Sequence, residues 1–138
     1  MREVTIVTGT RAEYGLLKNV CKIIAASHEL SLSIIATGSH LSSLHGSTLD
    51  EILDDGFSDI KLINLKIADD SAADINRYVA CAIEKFSAHF SKKKPDLLLI
   101  LGDRYEIFGV AVASMFLGIP IAHIHGGELT EGAFDDVI

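Results

Sequence analysis

The run Leu97–Leu101 reads LLLIL, apolar at every position, with Pro95 before it and Gly102-Asp103-Arg104 after it. A strand with one wet face alternates apolar and polar residues. A short run apolar throughout is a strand buried on both faces, which is the condition of a parallel sheet. Parallel neighbours need a crossover long enough for a helix, and those helices cover the two faces. This one run therefore predicts an α/β chain in which strands and helices alternate.

The rest of the chain agrees. Residues 3–8 read as a first strand, and Gly9-Thr10-Arg11-Ala12-Glu13 turns into a helix on which Leu17, Val20, Cys21 and Ile24 keep the helical period. Residues 30–36 are a second strand. A polar loop or short helical turn over 39–47 follows and carries His40 and His45. A helix over 48–55 stops at Gly56, and residues 60–65 form strand three. The longest helix spans 71–94, with Ile75, Val79, Ala82, Ile83, Phe86 and Phe90 on one face and Pro95 preventing its continuation. After strand four, residues 105–117 make a helix that is apolar nearly all round, hence one buried on two sides. Residues 121–125 are strand five. Right-handed crossovers then predict a doubly wound, Rossmann-like parallel sheet in the order 3-2-1-4-5, with a ligand crevice at the strands' carboxyl ends.

Composition narrows the function. The chain has 138 residues and is 49% hydrophobic, enough for one domain with a core. A formal net charge of −7 excludes a sequence-independent hold on nucleic acid. No apolar run is long enough to span a membrane, and Met1 leads directly into a strand without a signal peptide, so a cytoplasmic protein is expected. Cys21 and Cys81 fall at apolar helix positions and read as reduced core thiols. There is no G-x-G-x-x-G after strand one, no Walker lysine and no G-x-S-x-G elbow.

The candidate site lies at the strand ends. Gly9-Thr10-Arg11-Ala12-Glu13 and Gly102-Asp103-Arg104-Tyr105-Glu106 share the spacing G-x-R-x-E, and the 3-2-1-4-5 order sets the two turns side by side. Glycines admit close backbone approach, helix N-termini offer N–H groups, and arginines suit phosphate. Arg11 and Arg104 are thus anion-binding candidates, the alternative being ion pairs with Glu13 or Glu106. Asp103 caps the following helix or takes part in chemistry. His123 and His125 lie two apart on a strand and share a face. A lone H-x-H falls short of a metal set, so the expectation is one buried, hydrogen-bonded histidine and one lining a site. Glu128 and Glu131 are loop charges or site groups, and Asp135-Asp136 are a helix cap or site groups. With only Val137 and Ile138 beyond them, the chain reads as a fragment of a longer protein, cut inside a helix.

These motifs, in this order, resemble the hydrolysing UDP-N-acetylglucosamine 2-epimerases. The matching stretches are Thr8-Gly9-Thr10-Arg11-Ala12-Glu13-Tyr14-Gly15-Leu16-Leu17, then Ala36-Thr37-Gly38-Ser39-His40-Leu41-Ser42 and Gly102-Asp103-Arg104-Tyr105-Glu106. The last is Ala122-His123-Ile124-His125-Gly126-Gly127-Glu128 with Thr130-Glu131-Gly132-Ala133-Phe134-Asp135-Asp136. The resemblance implies two Rossmann-like domains around a cleft (the GT-B arrangement). Residues 1–138 would be most of the N-terminal domain, and the UDP-binding C-terminal domain is absent. It implies elimination of UDP from UDP-N-acetylglucosamine, then hydration of the resulting glycal to N-acetylmannosamine for sialic acid synthesis. Asp103 and Asp135 match acidic residues of that chemistry. Some relatives carry Glu where this chain has His125, so His125 or Glu128 fills the third acid/base position. Arg11 and Arg104 fit the departing diphosphate, and Tyr14, Gly15 and His40 lie near the substrate. No metal or redox cofactor is implied, and a homo-oligomer is expected of the full-length protein. The alternatives are a relative acting on a UDP-diacetamido sugar, of the legionaminic acid type, and a non-catalytic module for an anionic ligand. The H-x-H-G-G-E loop argues against the non-hydrolysing group.

Overall fold

The computed structural model describes residues 1–42, 48–66 and 71–127. Five strands, β1 (Arg2–Thr8), β2 (Leu30–Ala36), β3 (Ile60–Leu62), β4 (Leu97–Leu101) and β5 (Ile121–Ile124), alternate with four helices, α1 (Arg11–Ala25), α2 (Leu49–Asp54), α3 (Ala72–Lys92) and α4 (Tyr105–Phe116). A 3-10 turn, Gly38–Leu41, follows β2. All pairings are parallel, from Arg2↔Leu30 to Thr8↔Ala36 on one side of β1 and from Val4↔Leu97 to Ile6↔Leu99 on the other. The order is β3-β2-β1-β4-β5, the doubly wound sheet expected.

The strand period of two sorts the core into two layers. Val4, Ile6, Leu99 and Leu101 pack with Tyr14, Leu17, Cys21 and Ile24 of α1 and Ile52 of α2. Val7, Leu98 and Ile100 point the other way, onto Tyr78, Ala82, Phe86 and Phe90 of α3 and Ile107, Val110 and Ala113 of α4. Both faces of the central strands are thereby covered, which is why Leu97–Leu101 has no polar position.

Four differences from the sequence reading have local causes. Strand three stops at Leu62, not at residue 65. The Ile63 amide still donates to the Ala36 carbonyl at 3.1 Å, but the Ile63 carbonyl accepts from the Thr37 hydroxyl at 2.6 Å instead of a strand neighbour. The longest helix begins one residue late because Ser71 is its cap, accepting from the Asp74 amide at 3.3 Å. The apolar helix α4 is not buried on two sides at its end, where Met115 and Phe116 are 61% and 81% exposed. Strand five ends at Ile124, because His125 has a left-handed backbone with φ of 56°.

Cys21 is buried and Cys81 half-buried, both as free thiols. Burial pushes the Cys21 thiol up to about 11, which suits an inert core residue. Among the described residues, no helix is long and apolar enough to cross a membrane.

Candidate active site

The turn after β1 is shaped by a capping box. The Thr10 hydroxyl accepts from the Glu13 amide at 3.1 Å. Glu13 Oε2 accepts in return from the amides of Thr10 at 3.2 Å and Gly9 at 2.6 Å. This draws the Glu13 side chain back under the turn, where it is 5% exposed. Glu106, its counterpart in the second G-x-R-x-E turn, is fully buried. Gly9 makes room for it: a Cβ there would lie 2.5 Å from Glu106 Oε1.

Arg104 joins the two turns. Its Nε lies 2.6 Å from Glu106 Oε1 and 4.0 Å from Glu13 Oε1, while its side chain stays 49% exposed. Three polar atoms under it, Glu13 Oε1, Glu106 Oε2 and the Tyr78 hydroxyl from α3, are buried without a hydrogen-bond partner among the described residues. Burial pushes the Glu13 carboxyl up to about 7, with the Glu106 charge adding to the rise and the Gly9 amide and Arg104 opposing it. Burial likewise raises the Tyr78 hydroxyl. The burial of these two carboxylates is the part of the site that sequence reasoning missed, having offered Glu13 and Glu106 only as alternative ion-pair partners of the arginines. A signal was present: Glu13 and Glu106 each sit four residues before a core residue, Leu17 and Val110, and so lie on the buried helical stripe.

The other candidates fall into three groups. Asp103 is exposed in the β4–α4 turn and makes no hydrogen bond or ion pair among the described residues. The residue at the N-cap of α4 is Arg104, so Asp103 does not cap that helix. Beside Asp103, the His123 ring donates from Nε2 to the Gly102 carbonyl at 2.5 Å, tying the ends of β4 and β5 together. His125 is exposed in the turn that follows. The expectation of one buried histidine is corrected: both are exposed, and the left-handed turn at His125 ends the strand geometry that would make them share a face.

Arg11 stands at the neighbouring turn, but its partner is Glu51 of α2, whose Oε1 lies 2.9 Å from Nε and 2.8 Å from Nη2 in an exposed pair. Gly15 is exposed on α1, in open space. Tyr14 and His40 lie deeper. The Tyr14 hydroxyl donates to Asp55 at 2.9 Å. Lys18 and Lys22 also reach Asp55, at 2.9 and 3.0 Å, and hold its carboxyl down at about 2. His40 is 2% exposed with both ring nitrogens engaged, Nε2 on the Thr8 hydroxyl at 2.9 Å and Nδ1 on that of Thr48 at 2.7 Å. Burial lowers its pKa, so it is neutral and buttresses the turn. His45, Glu128, Glu131, Asp135 and Asp136 lie outside the described residues. Among the described residues, no cluster of His, Cys, Asp and Glu has the make-up of a metal site.

The family model of UDP-N-acetylglucosamine 2-epimerase matches residues 22–138. The chain belongs to this family. It is 44% identical, over 99% of its length, to the GDP/UDP-N,N'-diacetylbacillosamine 2-epimerase (hydrolyzing) of Campylobacter jejuni, of which it covers 35%. It is 38% identical, over its whole length, to the UDP-N,N'-diacetylbacillosamine 2-epimerase (hydrolyzing) of Legionella pneumophila, covering 36% of that protein. Its fold matches the crystal structure of UDP-GlcNAc 2-epimerase from Neisseria meningitidis bound to UDP-GlcNAc, with a TM-score of 0.76 at 22% identity over 94% of this chain and 34% of that one. The chain thus spans about a third of the length of the relatives it matches.

Proposed function

We propose that this chain is the first domain of a hydrolysing UDP-sugar 2-epimerase, with a second domain completing the UDP site. The observation that carries this reading is the β4–α4 turn. It sets an exposed carboxylate without a partner among the described residues, Asp103, next to an arginine that Glu106 holds through Nε, Arg104, with the exposed His125 on the adjoining turn. In the first step a base removes the C2 proton, the C1–O bond to UDP breaks, and a C1=C2 glycal remains. Arg104, with Arg11 and the N-termini of α1 and α4, meets the charge developing on the departing diphosphate. Asp103 acts as a proton carrier, with no competing hydrogen bond among the described residues. Water then adds at C1, and a proton returns to C2 from the opposite face. Asp135 and either His125 or Glu128 supply the remaining acid/base groups.

On the sugar, identities of 44% and 38% to proteins named for a diacetylbacillosamine substrate favour a UDP-diacetamido sugar as the substrate class. UDP-N-acetylglucosamine, giving N-acetylmannosamine, is the second reading, on the family model and a lower identity of 30% to a protein named UDP-N-acetylglucosamine 2-epimerase. The test uses the full-length protein with each sugar nucleotide in deuterated water, wild type beside Asp103→Asn. The wild type is expected to release UDP and carry deuterium at C2 of the product. The variant should lose release by at least a hundredfold, on the scale of general acid–base catalysis, while unfolding within about 0.5 kcal/mol of wild type, as exposed substitutions do. UDP bound but never released from either sugar would replace the epimerase with a binding module. The isolated 138-residue chain should show no turnover.

A further inference from the structure

Arg104 lies over two buried carboxylates, and one guanidinium balances only one of them. Glu106 takes the close pairing at 2.6 Å, and Glu13 Oε1 is left 4.0 Å from Nε with no hydrogen bond among the described residues. With both carboxylates ionised, the cluster carries one uncompensated negative charge directly beneath the arginine that meets the diphosphate. A proton on Glu13 cancels that charge. Among the described residues, the neighbours offer no other compensation. From α3 comes only the neutral Tyr78 hydroxyl. From the β1–α1 turn come the Gly9 and Thr10 amides, while Arg11 turns away to Glu51. From the 3-10 turn comes His40, neutral and engaged by Thr8 and Thr48. From the β4–α4 turn, Asp103 adds a further negative charge.

We propose that Glu13 and Glu106 are the positioning residues of Arg104, and that Glu13 takes up a proton when a diphosphate binds there. Glu106 holds Nε, so the rest of the guanidinium is presented outward without a rotamer search. Glu13 adjusts the charge beneath it. The proton comes from solvent buffer and passes to the Glu13 carboxylate, with no covalent bond made or broken in protein or ligand. The inference rests on the reading of Arg104 as a diphosphate contact.

The test is isothermal titration of the full-length protein with UDP at pH 8, in two buffers of unequal ionisation enthalpy. Their difference counts the protons taken up. UDP's own ionisation is common to every variant, so differences between variants report the protein. Wild type is expected to take up most of one proton more than Glu13→Gln, and its affinity should fall roughly eightfold between pH 7.5 and 8.5, near the one-proton limit of tenfold per unit. Glu13→Gln should show no such fall. Glu106→Gln is the second variant: the Glu13 carboxylate then balances Arg104 alone, and uptake is again lost. It serves if Glu13→Gln does not fold. A merely structural pair would change stability in both variants and leave proton uptake as in wild type, which overturns the proposal. UDP binding with wild-type uptake no greater than that of the variants also overturns it and leaves the diphosphate site standing. Absence of UDP binding to wild type refutes the site reading itself.

Discussion

Replacing Glu13 by glutamine should make the protein more stable at neutral pH, although it deletes a charge at a helix N-terminus. Glu13 accepts both of its hydrogen bonds, from Gly9 and Thr10, through Oε2. The glutamine carbonyl can take that place, and the amide then occupies the position of Oε1, which has no hydrogen-bond partner among the described residues. The loss is the attraction between a carboxylate and the α1 N-terminus, about 0.3–1 kcal/mol. The gain is relief from burying a charge. A carboxyl raised from 4.5 to about 7 corresponds to about 3 kcal/mol at 1.36 kcal/mol per pH unit. The larger effect decides the sign. Because the folded-state value lies above the unfolded one, the folded protein holds the proton longer. Wild-type stability therefore falls as pH rises from about 4.5 to about 7 and is level above that. Glu13→Gln removes this component. Urea unfolding of both proteins at pH 5, 6, 7 and 8, followed by circular dichroism, should show the variant gaining on wild type by about 2–3 kcal/mol across the series. A constant difference at all four values would refute the reasoning, because it would mean that Glu13 does not titrate in the folded protein over this range.

Two further outcomes test the frame around the site. Gly9→Ala places a Cβ 2.5 Å from Glu106 Oε1 and should cost about 1–3 kcal/mol, as overpacking does, and weaken UDP binding through the displaced Glu106–Arg104 pair; unchanged unfolding and binding would show that the pocket yields freely. Tyr14→Phe removes the hydroxyl that donates to Asp55 at 2.9 Å and should lower stability by about 1 kcal/mol in urea, a loss that should be absent in an Asp55→Ala background, which has no acceptor for it.

The strand order was legible because it follows from alternation and handedness. One fully apolar run requires a sheet covered on both faces, and right-handed crossovers allow few windings of five strands. The bounds of β2 and β4 were legible for the same reason, since Leu30–Ala36 and Leu97–Leu101 end at Thr37-Gly38 and Gly102, where the chain must turn. Family membership was readable from four motifs kept in order. The end of α4 was not readable. Met115 and Phe116 are apolar, and apolarity alone does not say whether a neighbour reaches them.

Sequence by itself determined that Arg11 and Arg104 occupy matching turns, and that those turns adjoin, because β1 and β4 must be neighbours in a doubly wound sheet. Only the tertiary structure decided what the two arginines do there. Arg11 leans out to Glu51 on α2, while Arg104 is held over two buried carboxylates. The physical reason is that burial of a charged side chain belongs to no single element. Glu13 comes from α1, Glu106 from α4 and the Tyr78 hydroxyl from α3. These groups lie far apart in sequence and share one desolvated space only once both layers have packed on the sheet.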